Sequence, residues 1–69
     1  MKTQQVCKDF LRMQKGAELD AMEAARLMND IWGIKVDWHE MAYALDYLER
    51  VGEATAWWCR EGHRVFEVK

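Results

Sequence analysis

Cys7, His39, Cys59 and His63 are the residues of this 69-residue chain that could ligate a metal or act as nucleophile and base. A structural zinc takes four thiolate or imidazole ligands, usually delivered in close pairs such as C-x2-C. No such pair exists here: Cys59 and His63 straddle what reads as a hairpin turn, and the other two come from separate elements. An enzyme also needs convergent chemistry, such as a nucleophile beside its base, and none appears. Cys7 sits on an apolar helical face, where a small buried thiol is the ordinary reading. The expectation is therefore no enzyme, no metal, no cofactor and no small-molecule ligand.

Charge and aromatic rings are what remain for chemistry. Arg60, His63 and Arg64 cluster at the turn of "WWCREGHRVF", where an arginine can reach a phosphate or a narrow minor groove. Lys8, Arg12 and Lys15 share one side of the first helix. The same charges also suffice to keep a hairpin edge soluble. Tyr43 and Tyr47 are four apart and form a ridge on one helix face, with Glu40 and Asp46 beside them and Trp57 on the following strand. Tyrosine, tryptophan and arginine dominate protein interfaces. Folding of either tyrosine back onto the hairpin is equally open.

Composition bounds these readings. A chain of this length makes one domain, residues 1–69, and buries only about 60% of its unfolded surface. It compensates with four Trp, two Phe, two Tyr and five Met, and its 51% hydrophobic content is too high for a disordered tail. Ten basic and twelve acidic residues give a formal charge of −2. That lowers the prospect of a nucleic-acid binder without removing it, because a local patch can suffice. Polar Thr3, Gln4 and Gln5 follow Lys2, so no signal peptide is read, and no apolar run has the length of a membrane span. Two cysteines so far apart do not form a disulfide framework, and a reducing cytoplasm is expected.

Glycines at 16, 33, 52 and 62 divide the chain into four pieces. The first reads as a helix capped by Thr3 and ending at Gly16, with Val6, Cys7, Phe10, Leu11 and Met13 on its apolar side. In the second, Asp20 and Glu23 make a capping box, with Leu19 and Ala24 as its hydrophobic staple. Ala21, Ala24, Ala25, Leu27, Met28, Ile31 and Trp32 then form the apolar surface. The third piece repeats the device with Asp37 and Glu40, stapled by Val36 and Met41. Its buried stripe is Met41, Ala44, Leu45 and Leu48, with Trp38 one turn earlier. Ile34, Lys35 and Val36 are expected to pair as one brief strand. The last piece is a two-stranded hairpin whose inward set is Ala54, Ala56, Trp58, Phe66 and Val68, leaving Trp57 outward.

The segment "DAMEAARLMNDIWG" resembles the first helix of a helix-turn-helix unit. "VDWHEMAYALDYLERVGEA" is similar to a recognition helix running into a wing strand, through Met41, Leu45, Leu48, Gly52 and Ala54. "REGHRVFEV" resembles a wing tip and returning strand ending in an aromatic-x-aliphatic pair, here Phe66 and Val68. Over residues 3–69 the chain thus resembles the winged helix-turn-helix family: α+β, mostly helical, with three helices and a C-terminal two-stranded β-hairpin wing. The resemblance implies a small DNA-binding regulator of transcription, and a free-standing domain of this size suits a phage or mobile element. Double-stranded DNA would be met by His39, Tyr43, Tyr47 and Arg50 of the third helix. Arg60, His63 and Arg64 of the wing, with Lys8 and Arg12 of the first helix, would hold the backbone. The contrasting expectation is a protein-interaction module, an adaptor or inhibitor, using Tyr43, Tyr47, Trp57, Glu40 and Asp46. A homodimer through that surface is a third.

Overall fold

The structure is a computed structural model that describes residues 2–69. Its elements are α1 (Thr3–Arg12), β1 (Glu18–Leu19), α2 (Ala21–Trp32), α3 (Trp38–Arg50), β2 (Ala54–Trp58) and β3 (Arg64–Val68). Three helices pack on a three-stranded antiparallel sheet of order β1-β3-β2, so the last strand lies in the middle. The expected two-stranded hairpin is thus corrected to a three-stranded sheet. Leu19 faces Phe66 and Glu18 faces Glu67 in the added ladder, which Gly16 and Ala17 extend through backbone bonds to Val68.

The brief strand is not at Ile34–Val36, where it was expected. Among the described residues no strand lies beside that segment; Ile34 and Val36 instead press part-buried side chains against the core between α2 and α3. β1 lies earlier, where residues 16–19 run alongside the returning end of β3.

The helix ends follow from local chemistry with four departures. Thr3 is the first helical residue and not the cap; Lys2 holds the cap position and makes no side-chain bond there. α1 ends at Arg12 and not at Gly16. Asp20 caps α2 as its spacing predicts, accepting the Glu23 amide at 2.7 Å, but among the described residues the Glu23 carboxylate makes no bond back to complete the box. Asp37 caps α3 through the His39 amide at 3.2 Å. The Glu40 carboxylate does not complete that box in the expected way: it accepts Gln4 Nε2 of α1 at 2.7 Å, which ties α1 to the start of α3.

Gly33, at φ 68°, ends α2. At Gly52 the φ of 84° lets the chain reverse so that Glu53 N–H reaches Leu48 O and Gly52 N–H reaches Glu49 O. This pair of bonds closes the orphan carbonyls of a helix end, and only a left-handed residue permits it cheaply. The turn aims β2 back under α3.

α3 is the hub, touching both other helices and both long strands. Met41, Ala44, Leu45 and Leu48 are its buried stripe. Cys7, Phe10 and Leu11 come from α1, Ala24 and Met28 from α2, and Leu19, Ala54, Phe66 and Val68 from the sheet side. The Phe10 ring meets Trp32 edge-on at 5.1 Å, joining α1 to α2. Met13, Ile31 and Trp38, expected on the apolar sides of their helices, stand in solvent: Met13 lies past the end of α1, nothing among the described residues covers Ile31, and Trp38 lies off the buried stripe of α3, beside Ala42.

Candidate functional site

β2 leads away from Gly52 as the edge strand of the sheet, and burial falls along its inner face. Ala54 is 3% exposed, Ala56 part-buried, and Trp58 67% exposed. Trp58 was expected inward and is not. Its strand parity is right, because it pairs with Arg64 opposite, but it stands on the edge strand of the sheet, and at that level the contact from α3, through Glu49, goes to Arg64 and not to the indole. Trp57 turns to the other sheet face, across from Val65, and is 39% exposed. One indole therefore overhangs the core and the other lies on the outer face, and neither is core.

The cations of the wing and of α1 are largely engaged within the molecule. Arg64 Nη2 donates to Glu49 Oε1 of α3 at 3.0 Å, and its guanidinium carbon lies 5.7 Å from the Trp58 ring and 5.4 Å from Phe66. His63 Nε2 is 3.3 Å from the Asp20 carboxylate. Arg12 donates from Nε and Nη2 to the two Glu53 oxygens at 2.9 and 3.1 Å. This fork raises the Arg12 pKa and lowers that of Glu53, the hydrogen bond being the largest cause for each. Lys8 Nζ sits 3.8 Å above the Tyr47 ring, so Tyr47 folds toward α1 and not toward the hairpin. Arg50 and Arg60 are exposed and have no acidic partner among the described residues.

At the start of α3, His39 stacks on Trp38 with ring centroids 3.8 Å apart. Its Nδ1 lies 3.1 Å from Asp37 Oδ1. The Asp37 carboxyl is held below its ordinary pKa, first by the His39 amide and then by the His39 ring. Beside Trp38 a groove of about 310 Å³ opens between the start of α2, α3 and β3. Met22, Trp38, Ala42 and Phe66 supply its apolar wall, with Asp20, Asp46, His63 and Arg64 around it. Sequence reasoning missed this groove. Its one legible signal was the i, i+4, i+8 series Trp38, Ala42 and Asp46 on the flank of α3, and nothing local placed Met22 against it.

From the groove the surface continues across His39 to Tyr43, which is 67% exposed. Glu40 and Tyr47 lie on the opposite flank of α3, against Gln4 and Lys8 of α1. The structure does not bring Trp57 onto the tyrosine ridge, because it sits on the sheet face turned from the helices.

Cys7 is buried in the core, its thiol pKa raised by burial first and by Glu40 second. Cys59 is part-buried at the end of the hairpin, and both thiols are free. No three His, Cys, Asp or Glu residues gather into a metal-binding group among the described residues. Among them too, no helix is long and apolar enough to cross a membrane.

Comparisons with protein-family models, with curated proteins and with solved structures find no match to this chain.

Proposed function

We propose that the chain is a winged-helix module that binds a protein partner through the outer face of α3 and the adjoining groove. The element order and the β1-β3-β2 sheet are compatible with the winged-helix pattern that the core positions resemble. The partner presents an apolar side chain to Met22 and Trp38 and a positive charge to Asp46.

One contrast carries this reading. Arg64, Arg12 and Lys8, which a polyanion would need, already face Glu49, Glu53 and the Tyr47 ring. Large apolar groups, by comparison, stay in water: Trp38 is 46% and Tyr43 67% exposed. Covering those two rings removes on the order of 100 Å² each. At ~25 cal/mol per Å² that amounts to about 5 kcal/mol before the cost of association is subtracted.

DNA-binding regulation, in a phage or mobile-element setting, is the second reading, favoured by the exposed, partnerless Arg50 and Arg60. The two separate in one experiment. The protein is titrated against random duplex at low and moderate salt, and its capture of proteins from a native lysate is compared with that of Trp38→Ala and Asp46→Lys. The expected result is no salt-sensitive duplex binding and one captured protein lost with either variant, while circular dichroism stays unchanged. Duplex binding that weakens steeply with salt and falls with Arg60→Ala overturns the protein reading in favour of DNA.

A further inference from the structure

β2 has one edge paired and one open, because the sheet order ends on it. Two backbone bonds fix which of its groups face outward. At one end Lys69 N–H donates to Glu53 O at 2.9 Å, and at the other Cys59 N–H donates to His63 O at 3.0 Å. Antiparallel bonding alternates along a strand. Residues 53, 55, 57 and 59 therefore bond with β3, and the N–H and C=O of Ala54, Ala56 and Trp58 point away from it. Ala54 is enclosed, being 3% exposed. Ala56 and Trp58 keep open main-chain groups, and no backbone bond meets them from the far side among the described residues.

Edges of this kind are normally guarded by lysine, proline or a bulge. The run "ATAWWC" from Ala54 to Cys59 has no charge and no proline, and its five β2 residues pair without a bulge. Trp57 and Trp58 stand on its two faces.

We infer that β2 is a self-pairing edge: two copies of the chain join antiparallel through it about a two-fold axis, merging two three-stranded sheets into one. An antiparallel edge is self-complementary under that symmetry, which an unrelated partner would have to match by chance. Parity allows only registers in which Ala56 and Trp58 meet outward-pointing residues of the other copy. The register that uses these two open residues sets Ala56 opposite the partner's Trp58, and Trp58 opposite the partner's Ala56. Each indole on the inner face then lies over an alanine. On the outer face, Trp57 meets the partner's Trp57 at the two-fold, a non-hydrogen-bonded site where Cα atoms are about 4.5 Å apart. Cross-strand aromatic pairs of this type are favourable. Thr55 falls opposite the partner's Cys59, so no like charges face each other along the paired stretch.

Sedimentation equilibrium of the full chain from micromolar to millimolar concentration tests this. A monomer–dimer equilibrium is expected, weakened at least tenfold in Trp57→Lys, which sets two ammonium groups across the axis. Because Trp57 is outside the core, that variant keeps the wild-type circular dichroism. In a Cys59→Ser background, Trp57→Cys is expected to form an intermolecular disulfide on mild oxidation. A wild type that stays monomeric throughout overturns the proposal. So does a dimer that Trp57→Lys leaves intact, or one in which Trp57→Cys does not cross-link. Dissociation by Trp38→Ala, with Trp57→Lys inert, moves the contact to α3 and likewise overturns it.

Discussion

Replacing Trp58 and Phe66 separately by alanine sets the two largest side chains of the inner hairpin face against each other. By residue size alone the tryptophan should cost more. The structure orders them the other way, since Phe66 is 3% and Trp58 67% exposed. Phe66 is fully enclosed between α3 and the sheet, so its removal loses transfer energy and leaves a cavity, about 3–5 kcal/mol. Only about a third of Trp58 is covered. On a side chain of up to ~250 Å², that is on the order of 80 Å², or about 2 kcal/mol at ~25 cal/mol per Å². The figure is an upper bound, because the unfolded chain already hides part of the ring. A chain of this length has about 3–10 kcal/mol of stability in all. Phe66→Ala is therefore expected to lower Tm by about 12–40 °C, while Trp58→Ala lowers it by no more than about 8–16 °C and by less than Phe66→Ala in the same measurement. Urea unfolding followed by circular dichroism, at a concentration low enough to keep the chain monomeric, measures both. Equal losses, or a larger loss for Trp58, would show that the second indole is core.

The fork from Arg12 holds the Glu53 carboxyl below its ordinary pKa, so its contribution is present above the unfolded glutamate value and disappears as pH falls through the folded value. Glu53→Gln should therefore lower stability at neutral pH, with the gap to wild type closing in the acid range; a gap that widens there contradicts the assignment. Thiol labelling separates the cysteines: Cys59 reacts in the native protein and Cys7 only in denaturant, because Cys7 is enclosed and its thiolate disfavoured by burial. Equal native reactivity would mean that the face of α1 carrying Cys7 is not packed.

Features that depend on neighbours in sequence were readable. Asp20 three residues before Glu23 and Gly52 after a Leu-x-x-Leu stripe each act through bonds a few residues long, and each holds in the structure. The readings that failed depend on distant segments. Glu40 has the spacing of a capping partner, yet Gln4, far back in the chain, takes its carboxylate. Ile34–Val36 has strand-like composition but no strand to pair with, while Glu18–Leu19 becomes a strand only because β3 passes beside it. Trp58 shows the limit most clearly. Alternation fixes which way a side chain points, but not whether another element packs over it. The same holds for the wing charges, which read as a basic cluster until Glu49 and Asp20 are placed next to Arg64 and His63.

The middle position of β3 has a consequence for how the molecule comes apart. Its seam with β2 is stitched by a short turn, whereas its seam with residues 16–19 joins segments from opposite ends of the sequence. Bringing such distant segments together carries a larger loop-closure entropy than a hairpin does, and it is repaid by the two ladder residues of β1 and the bonds of Gly16 and Ala17 to Val68. That short seam is the zip that opens first. Amide exchange at Leu19 should outrun exchange along the hairpin, and a chain caught half-open would have freed the segment leading into α2 before its hairpin.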